Sequence, residues 1–437
     1  MRTINIVFKS LYACAHQCGF CHVLYVPRNT SYMTTEEVKE TFDGIERQFA
    51  GERVELEMSG GEFTMRKDAV ELIRYLRTKD IWWSSLVLDT MGVFLGNERL
   101  ARELGALFDK ANVSVHACDE ALHQATAASR TRFQDLETGL RNVFRFFPAV
   151  FTNTALTSLN YTRIADIARF ILRAREASPS TPLYCLFYMP VYREYGAANR
   201  ENRFRLQGED NAAFAPPAAA LARLRAEFAE ARRVLADHGV PAILRDFNVP
   251  ACVYESITGS FPDSAYGIPN FTAGSYFVDY EHPIGEAHTL DQVYSTTQGR
   301  AKPDACSRCI VDEVCAGFPT AWSQAGYPVV PVDEARYAAD FPMRLLNQTL
   351  FLSFHDAVRA RQALSNVSVD WATLAVSFAE WVGGNEIRVA RARISELSAV
   401  ERCRLLIQFL QDADLGGARD LAALLTEAVI PVSHARS

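Results

Sequence analysis

The 437-residue chain lacks three features, and each absence argues against a class of protein. It has no apolar run as long as a membrane span, and the strand-like 4–8 begins where a signal peptide would lie, so we expect a cytoplasmic protein with no membrane partner. It has no basic excess, because the net charge is −7, and we therefore expect no nucleic-acid partner. It has no internal repeat. With 49% hydrophobic residues, the chain fits a globular protein of several domains.

The distribution of cysteine is the most informative feature that is present. In a cytosolic chain of this size, clustered cysteines more often bind metal than form disulfides. Cys14, Cys18 and Cys21 lie together directly after the first predicted strand. Three thiolates in one loop can ligate three irons of a cubane cluster and leave the fourth iron open. A closed zinc site or a structural cluster is the alternative, but each needs a fourth ligand, and the next cysteine is Cys118.

This spacing, with Phe20 immediately before the third cysteine, resembles the signature of the radical S-adenosylmethionine (radical SAM) enzymes. The resemblance implies a 4Fe-4S cluster whose open iron binds SAM, and a small electron donor such as flavodoxin or ferredoxin. Reductive cleavage of SAM then gives a 5'-deoxyadenosyl radical that abstracts hydrogen from the substrate. Gly60, Gly61 and Glu62 resemble the glycine motif that meets the SAM amino group in this family. The alternative for these three residues is an ordinary βα turn that requires glycine.

The hydrophobic pattern of residues 1–245 predicts an α/β domain. Six strand–helix units in series predict a parallel sheet that is too short to close like the eight-unit barrel. We therefore expect a partial (β/α)6 barrel with its site at the carboxyl ends of the strands, and Thr34 or Thr35 as the cap of the first helix. Strands are predicted near 3–8, 53–58, 85–89, 112–117, 149–156 and 182–189, and helices near 34–49, 66–78, 97–107, 131–146, 161–175 and 216–238.

Polar residues near the strand ends are further candidates for SAM contacts, although such residues more often cap or turn the chain. We name Ser114 and Asn153 as cofactor-binding candidates. Cys118 would donate a hydrogen atom only if the enzyme were an epimerase, and it otherwise packs. Further candidates are Thr90 and His116 at strand ends, Arg130 or Arg132 for a carboxylate, and a substrate-contacting lid over 190–215.

A second cysteine group begins at Cys306 and Cys309 and continues to Cys315. This run resembles the auxiliary-cluster extension called SPASM or twitch, with too few cysteines for two clusters. We therefore expect one auxiliary 4Fe-4S cluster, with Cys252 as its fourth ligand.

The predicted domains are a radical SAM partial barrel (1–245), a small α+β twitch-like domain (246–335) and a C-terminal helical domain (336–437). Helices are predicted in the last domain near 343–364, 369–382, 398–412 and 418–428.

The predicted function is a radical SAM oxidoreductase that dehydrogenates or crosslinks a peptide or a natural-product intermediate. A dehydrogenase or epimerase acting on a sugar or aminocyclitol is the alternative. A non-catalytic iron-sulfur protein is the remote one. Peptide-modifying relatives often carry a peptide-binding domain before the first strand, and this sequence starts at that strand, which weakens the peptide interpretation without removing it.

Overall fold

The computed structural model describes residues 3–18, 20–21, 32–127, 131–189, 216–245, 249–259, 275–279, 288–289, 300–309, 317–319, 327–331, 367–370, 375–378 and 386–388. Every structural statement below concerns these residues. No helix among them is long and apolar enough to cross a membrane.

Strands and helices alternate along the first 258 residues. In chain order they are β1 (Thr3–Lys9), α1 (Thr35–Gln48), β2 (Arg53–Ser59), α2 (Ala69–Leu76), β3 (Trp82–Thr90), α3 (Glu98–Gly105), β4 (Lys110–Ser114), α4 (Glu120–Ala127), α5 (Phe133–Phe146), β5 (Val150–Ala155), α6 (Ile164–Arg175), β6 (Leu183–Tyr188), α7 (Leu221–Ala236), β7 (Ala242–Leu244) and α8 (Ala251–Thr258). The six predicted strands are all present.

The first helix begins with the capping box that the sequence indicates. The Thr34 hydroxyl accepts a hydrogen bond from the Glu37 backbone N–H at 3.2 Å, and the Glu37 carboxylate accepts one from the Thr34 N–H at 2.7 Å. Of the two predicted caps, Thr34 is therefore the one used.

One sheet organises the molecule, and its strand order is β7-β6-β5-β4-β3-β2-β1-β8-β9, where β8 is Ser275–Asp279 and β9 is His288–Thr289. All neighbours from β7 to β8 are parallel, and β9 is antiparallel to β8. Strands that neighbour each other in chain order, joined by helices, have the connectivity of a β/α barrel rather than of a doubly wound sheet. The sheet has two edges among the described residues and is open.

The core lies between one face of the sheet and the helices. Ile4, Ile6 and Phe8 of β1 are buried, whereas Asn5 and Val7 between them are only partly buried. The same alternation runs along β2. The face that does not pack on helices is therefore available for polar side chains, and it leads up to the carboxyl ends of the strands.

After α8, the described parts of the predicted 246–335 domain consist of short elements, as the sequence pattern predicted. They are β8, β9, β10 (Arg300–Ala301), a 3-10 turn (Asp304–Arg308) and β11 (Phe318–Pro319). β8 pairs with β1, so part of this region extends the sheet of the barrel. Phe318 and Tyr327 are buried with the core, and the Tyr327 hydroxyl donates to the Pro216 carbonyl.

The C-terminal region differs from its predicted helical character. β12 (Val367–Asp370), β13 (Ala375–Phe378) and β14 (Glu386–Arg388) form an antiparallel sheet. The helix predicted over 369–382 is therefore wrong at its described residues. The sequence there alternates Val367, Val369 and then Val376, Phe378 with polar residues, which is a strand period that we interpreted as part of a helix. The other three predicted helices lie outside the described residues.

Candidate functional site

The three cysteines lie in the loop that leaves the carboxyl end of β1, and each is partly buried. Within the loop, the Cys21 backbone N–H donates to the Cys18 carbonyl at 3.0 Å, which turns the chain between these two thiols. No three His, Cys, Asp or Glu side chains of the described chain surround a single metal ion. A cubane makes no such demand, because each thiolate binds a different iron. The donor set therefore fits a three-cysteine cluster.

The Gly60–Gly61–Glu62 turn packs backbone to backbone against the start of the cysteine loop. The Gly61 N–H donates to the Leu11 carbonyl and the Glu62 N–H to the Ala13 carbonyl, both at 2.9 Å. A Cβ on Gly61 would lie 2.1 Å from the Ala13 carbonyl oxygen. Gly60 has a φ of +124°, and a Cβ there would lie 2.3 Å from the Leu11 carbonyl oxygen. The glycines are thus required for a close backbone approach as well as for the turn.

The Glu62 carboxylate is buried and fully engaged inside the protein. It accepts hydrogen bonds from the Thr64 N–H and hydroxyl, from the Thr90 hydroxyl at 2.8 Å and from the Met91 N–H at 2.7 Å. Burial raises the pKa of Glu62, and these hydrogen bonds oppose the shift. The side chain therefore ties the end of β2 to the end of β3. This geometry favours a role in holding the turn over direct contact with SAM.

The middle of the cysteine loop is held by α4 and by Thr131, which lies two residues before the start of α5. The Gln17 N–H donates to the Ala127 carbonyl at 2.7 Å. The Thr131 hydroxyl lies 3.1 Å from His16 Nε2 and 3.2 Å from His123 Nε2. The two imidazole rings meet edge to face with centroids 5.3 Å apart. We call His16, Gln17, His123, Ala127 and Thr131 the α4 clamp.

Phe20 meets a histidine rather than an apolar pocket. Its ring contacts His116 edge to face, with centroids 5.1 Å apart. His116 Nδ1 accepts a hydrogen bond from the Ala155 N–H at 3.1 Å, so the neutral ring carries its proton on Nε2. Burial, with a smaller contribution from the charge on His123, lowers the pKa of His116 to about 4. The aromatic of the cysteine motif is thereby fixed to the segment beyond β4.

A chain of polar side chains crosses the inner face of the sheet below the cysteine loop. Asn153 Nδ2 donates to Asn112 Oδ1, and Asn112 Nδ2 donates to Asp89 Oδ1, both at 2.7 Å. Asp89 is hydrogen-bonded to Glu57, and burial followed by the Asp89 charge raises the pKa of Glu57 well above its ordinary value. Asn153 Oδ1 is buried without a partner among the described residues. Ser114 is paired with Asn153 in register and is partly buried. The two cofactor-binding candidates are thus neighbours.

Cys118 lies four residues beyond Ser114, the last residue of β4. The strand therefore ends earlier than the predicted 112–117. Its thiol accepts a hydrogen bond from Arg163 Nη2 at 3.2 Å, and Arg163 also pairs with Asp119 at 2.9 Å. Burial raises the pKa of Cys118 to about 11, and Arg163 opposes the shift. The group is therefore a thiol at neutral pH, which is the form that could donate a hydrogen atom.

The second cysteine pair repeats the turn of the first. The Cys309 N–H donates to the Cys306 carbonyl at 2.8 Å, and the Cys306 N–H donates to the Pro303 carbonyl at 2.8 Å. Both cysteines are partly buried. Cys252, the predicted fourth ligand, is buried at 8% exposure in α8 and belongs to the apolar core. Cys315 lies outside the described residues.

Of the remaining candidates, Arg132 and Thr90 lie within the described residues, and each already has a partner in the protein. The Arg132 side chain is 70% exposed and pairs with Asp135, whose carboxylate also accepts from the Arg132 backbone N–H at 3.0 Å, so it lies at the start of α5 instead of reaching into the site. The Thr90 hydroxyl donates a hydrogen bond to the Glu62 carboxylate. Arg130 and the predicted lid over 190–215 lie outside the described residues.

Part of this chain is similar in sequence to known proteins. Residues 9–171 match the Radical SAM superfamily. A probable GTP 3',8-cyclase of Sulfurisphaera tokodaii is 27% identical over 164 residues, which are 37% of this chain and 50% of that protein. A probable GTP 3',8-cyclase of Thermoplasma volcanium is 28% identical over 156 residues, which are 35% of this chain and 46% of that protein. The chain spans about half the length of these curated relatives.

Solved structures share the fold over a larger part of the chain. Native anSMEcpe with bound AdoMet has a TM-score of 0.51 at 13% identity and covers 74% of this chain and 94% of its own. Streptococcus suis SuiB bound to S-adenosylmethionine has a TM-score of 0.50 at 12% identity and covers 77% of both chains. AnSMEcpe with AdoMet and the Cp18Cys peptide has a TM-score of 0.50 at 12% identity and covers 74% of this chain and 94% of its own. Residues 9–171 thus match the superfamily, and the solved structures share the α/β fold of the chain.

Several residues of the site were not identified from the sequence. The α4 clamp depends on a helix that we did not predict, although Asp119 is a good cap for it and accepts from the Leu122 N–H at 2.9 Å. Glu57 falls in a strand whose alternation places it on the polar face, which is the signal that could have identified it, whereas Asp89 follows the continuous apolar run Leu86–Leu88 and has no such signal.

Proposed function

We propose that this protein is a radical SAM oxidoreductase whose catalytic 4Fe-4S cluster is held by Cys14, Cys18 and Cys21. One observation carries the proposal. The cysteine loop lies at the carboxyl end of β1, packed directly on the Gly60–Gly61 turn at the carboxyl end of β2. When bound, the cluster supplies an electron to SAM, which breaks into methionine and a 5'-deoxyadenosyl radical that abstracts hydrogen from the substrate.

The side chains around the loop have separate tasks in this proposal. Phe20, whose ring meets His116 edge to face, would lie beside the cluster. The backbone of Gly60 and Gly61 would approach SAM, while Glu62 fixes the turn through its hydrogen bonds to Thr90 and Met91. Asn153 Oδ1 supplies a hydrogen-bond acceptor that no described protein group uses, and Ser114 lies beside it.

We further propose one auxiliary 4Fe-4S cluster in a twitch-like domain at 246–335. The matching turns at Cys18–Cys21 and Cys306–Cys309 support it, because both bring a pair of thiols around one bend. Cys315 and Cys252 complete the proposed ligand set. Cys252 lies in the apolar core on α8, so it can ligate the cluster only if the cluster lies against that helix.

The proposed reaction is a net oxidation of a peptide or natural-product intermediate, with flavodoxin or ferredoxin as the electron donor. The anSMEcpe structure with a bound peptide supports a peptide substrate for a protein of this fold. The alternative, epimerisation of a sugar or aminocyclitol, would use Cys118 as the hydrogen donor, and its raised pKa is compatible with that role.

The function is tested by anaerobic assay of reduced, reconstituted protein with SAM. We expect slow formation of 5'-deoxyadenosine without substrate, and its absence from protein shown to contain the cluster would reject the proposal.

With substrate, Cys309→Ala should abolish the product while some SAM cleavage continues, whereas Cys118→Ala should leave product formation largely intact. A Cys118→Ala enzyme that cleaves SAM without forming product would instead favour the epimerase.

A further inference from the structure

We propose that the α4 clamp positions the cysteine loop for cluster binding, with Thr131 as the residue that joins its two histidines. The inference rests on the proposed function for its cluster, but its geometry is independent of that function. Among the described residues, the members of the clamp outside the loop are α4 and the Thr131 hydroxyl, which lie far from the cysteines in sequence.

The clamp holds the part of the loop between the first two cysteines. The glycine turn binds Leu11 and Ala13 before the first cysteine, and the Cys18–Cys21 turn begins at the second. The three residues between Cys14 and Cys18 are instead tied through the Gln17 N–H to the Ala127 carbonyl, and through the His16 ring to Thr131. The relative position of the first two thiols therefore depends on α4.

The Ala127 carbonyl accepts the hydrogen bond from the Gln17 N–H because of its position in α4. It lies in the last turn of α4, where carbonyls have no partner within the helix. The Gln17 N–H supplies a partner, so the loop and the helix end satisfy each other. Such mutual satisfaction makes the loop position specific, because sliding it would leave a backbone group without a hydrogen bond.

Thr131 is suited to join two imidazoles because a hydroxyl both donates and accepts. His16 and His123 are buried, at 8% and 2% exposure, and buried imidazoles need hydrogen-bond partners. One nitrogen of each ring lies within hydrogen-bond distance of the Thr131 hydroxyl, which can donate to one ring and accept from the other. Gln124 Nε2 in turn donates to the Thr131 carbonyl at 2.9 Å and holds the hydroxyl in place.

The test compares three variants. Thr131→Val keeps the volume of the side chain and removes the bridging hydroxyl, and Thr131→Ser restores it. Thr126→Val is the matched control, because Thr126 is a buried threonine of α4 whose hydroxyl donates to backbone carbonyls of its own helix, Leu122 at 2.8 Å and His123 at 3.4 Å.

Two readouts are measured. In the reconstituted protein, Thr131→Val should lose iron to a chelator about tenfold faster than wild type, because the loop that carries the cysteines loses the hydrogen bonds of one hydroxyl. In the metal-free protein, iodoacetamide should alkylate Cys14 and Cys18 about tenfold faster, because the loop opens more often. Thr131→Ser and Thr126→Val should stay within about twofold of wild type in both.

The clamp is rejected if Thr131→Val behaves like Thr126→Val, or if Thr131→Ser fails to recover the wild-type rates. A wild-type protein that binds no iron would instead reject the proposed function, and the alkylation rates of the metal-free protein would still decide the clamp.

Discussion

Replacing Gly60 by alanine tests whether the glycine turn shapes the cysteine loop. The added Cβ would lie 2.3 Å from the Leu11 carbonyl oxygen, a backbone atom that cannot rotate away. The residue also has a φ of +124°, which an L side chain rarely adopts. The turn or the loop must therefore move.

The expected cost has three parts. Backbone strain at this φ contributes about 1–3 kcal/mol. The overlap with Leu11 adds about 1–3 kcal/mol, as for other overpacked sites. If Leu11 moves, its 2.9 Å hydrogen bond from the Gly61 N–H weakens, at about 1 kcal/mol. We expect a loss in the free energy of unfolding of about 4 kcal/mol, together with poor cluster incorporation.

The assay is urea denaturation with iron quantitation after anaerobic reconstitution. Gly51→Ala is the matched control, since Gly51 also has a positive φ, +79°, but no atom lies within 4 Å of its added Cβ. The control should lose about 1–2 kcal/mol and bind iron normally. Equal stability and equal iron in the two variants would refute the reasoning.

Two further predictions concern buried polar groups. His116 has a pKa lowered to about 4 from the ordinary 6.5, so the stability it contributes is present above pH 6.5 and is lost as the pH falls towards 4. Between pH 7 and pH 5, urea unfolding of His116→Asn should lose about 2 kcal/mol less than wild type, and identical pH slopes would argue against a buried neutral imidazole. The Glu62 carboxylate only accepts hydrogen bonds from the described residues, so Glu62→Gln places a donor against Thr90 or Met91 and should destabilise the protein by about 2–3 kcal/mol. Wild-type stability would show that the carboxylate does not tie β2 to β3.

The parts of the fold that were predictable are the local ones. Strands β1 to β6 were identified because each carries a period of two or a continuous apolar run between turns, and Thr34 because capping depends on neighbouring residues. The pairing of β8 with β1 was not predictable. Ser275–Asp279 meets Asn5–Lys9 across some 270 residues of chain, and nothing in the five residues of this strand indicates its partner.

The candidate site shows the same division. The spacing of Cys14, Cys18 and Cys21 predicts their chemistry, because cluster ligation is a property of the motif. How the loop is held is a tertiary property. The backbone contact at Gly61 and the hydroxyl bridge at Thr131 arise from elements that meet only after folding.

The central claim is an iron-sulfur cluster with one open iron that binds SAM, and it is tested most directly by EPR spectroscopy of the reduced, reconstituted protein before and after SAM is added. The account predicts a 4Fe-4S signal whose line shape changes with SAM, and loss of the SAM-sensitive component when Cys14, Cys18 and Cys21 are replaced together by alanine. A signal that SAM leaves unchanged, or one that survives the triple replacement with its response to SAM intact, would contradict it.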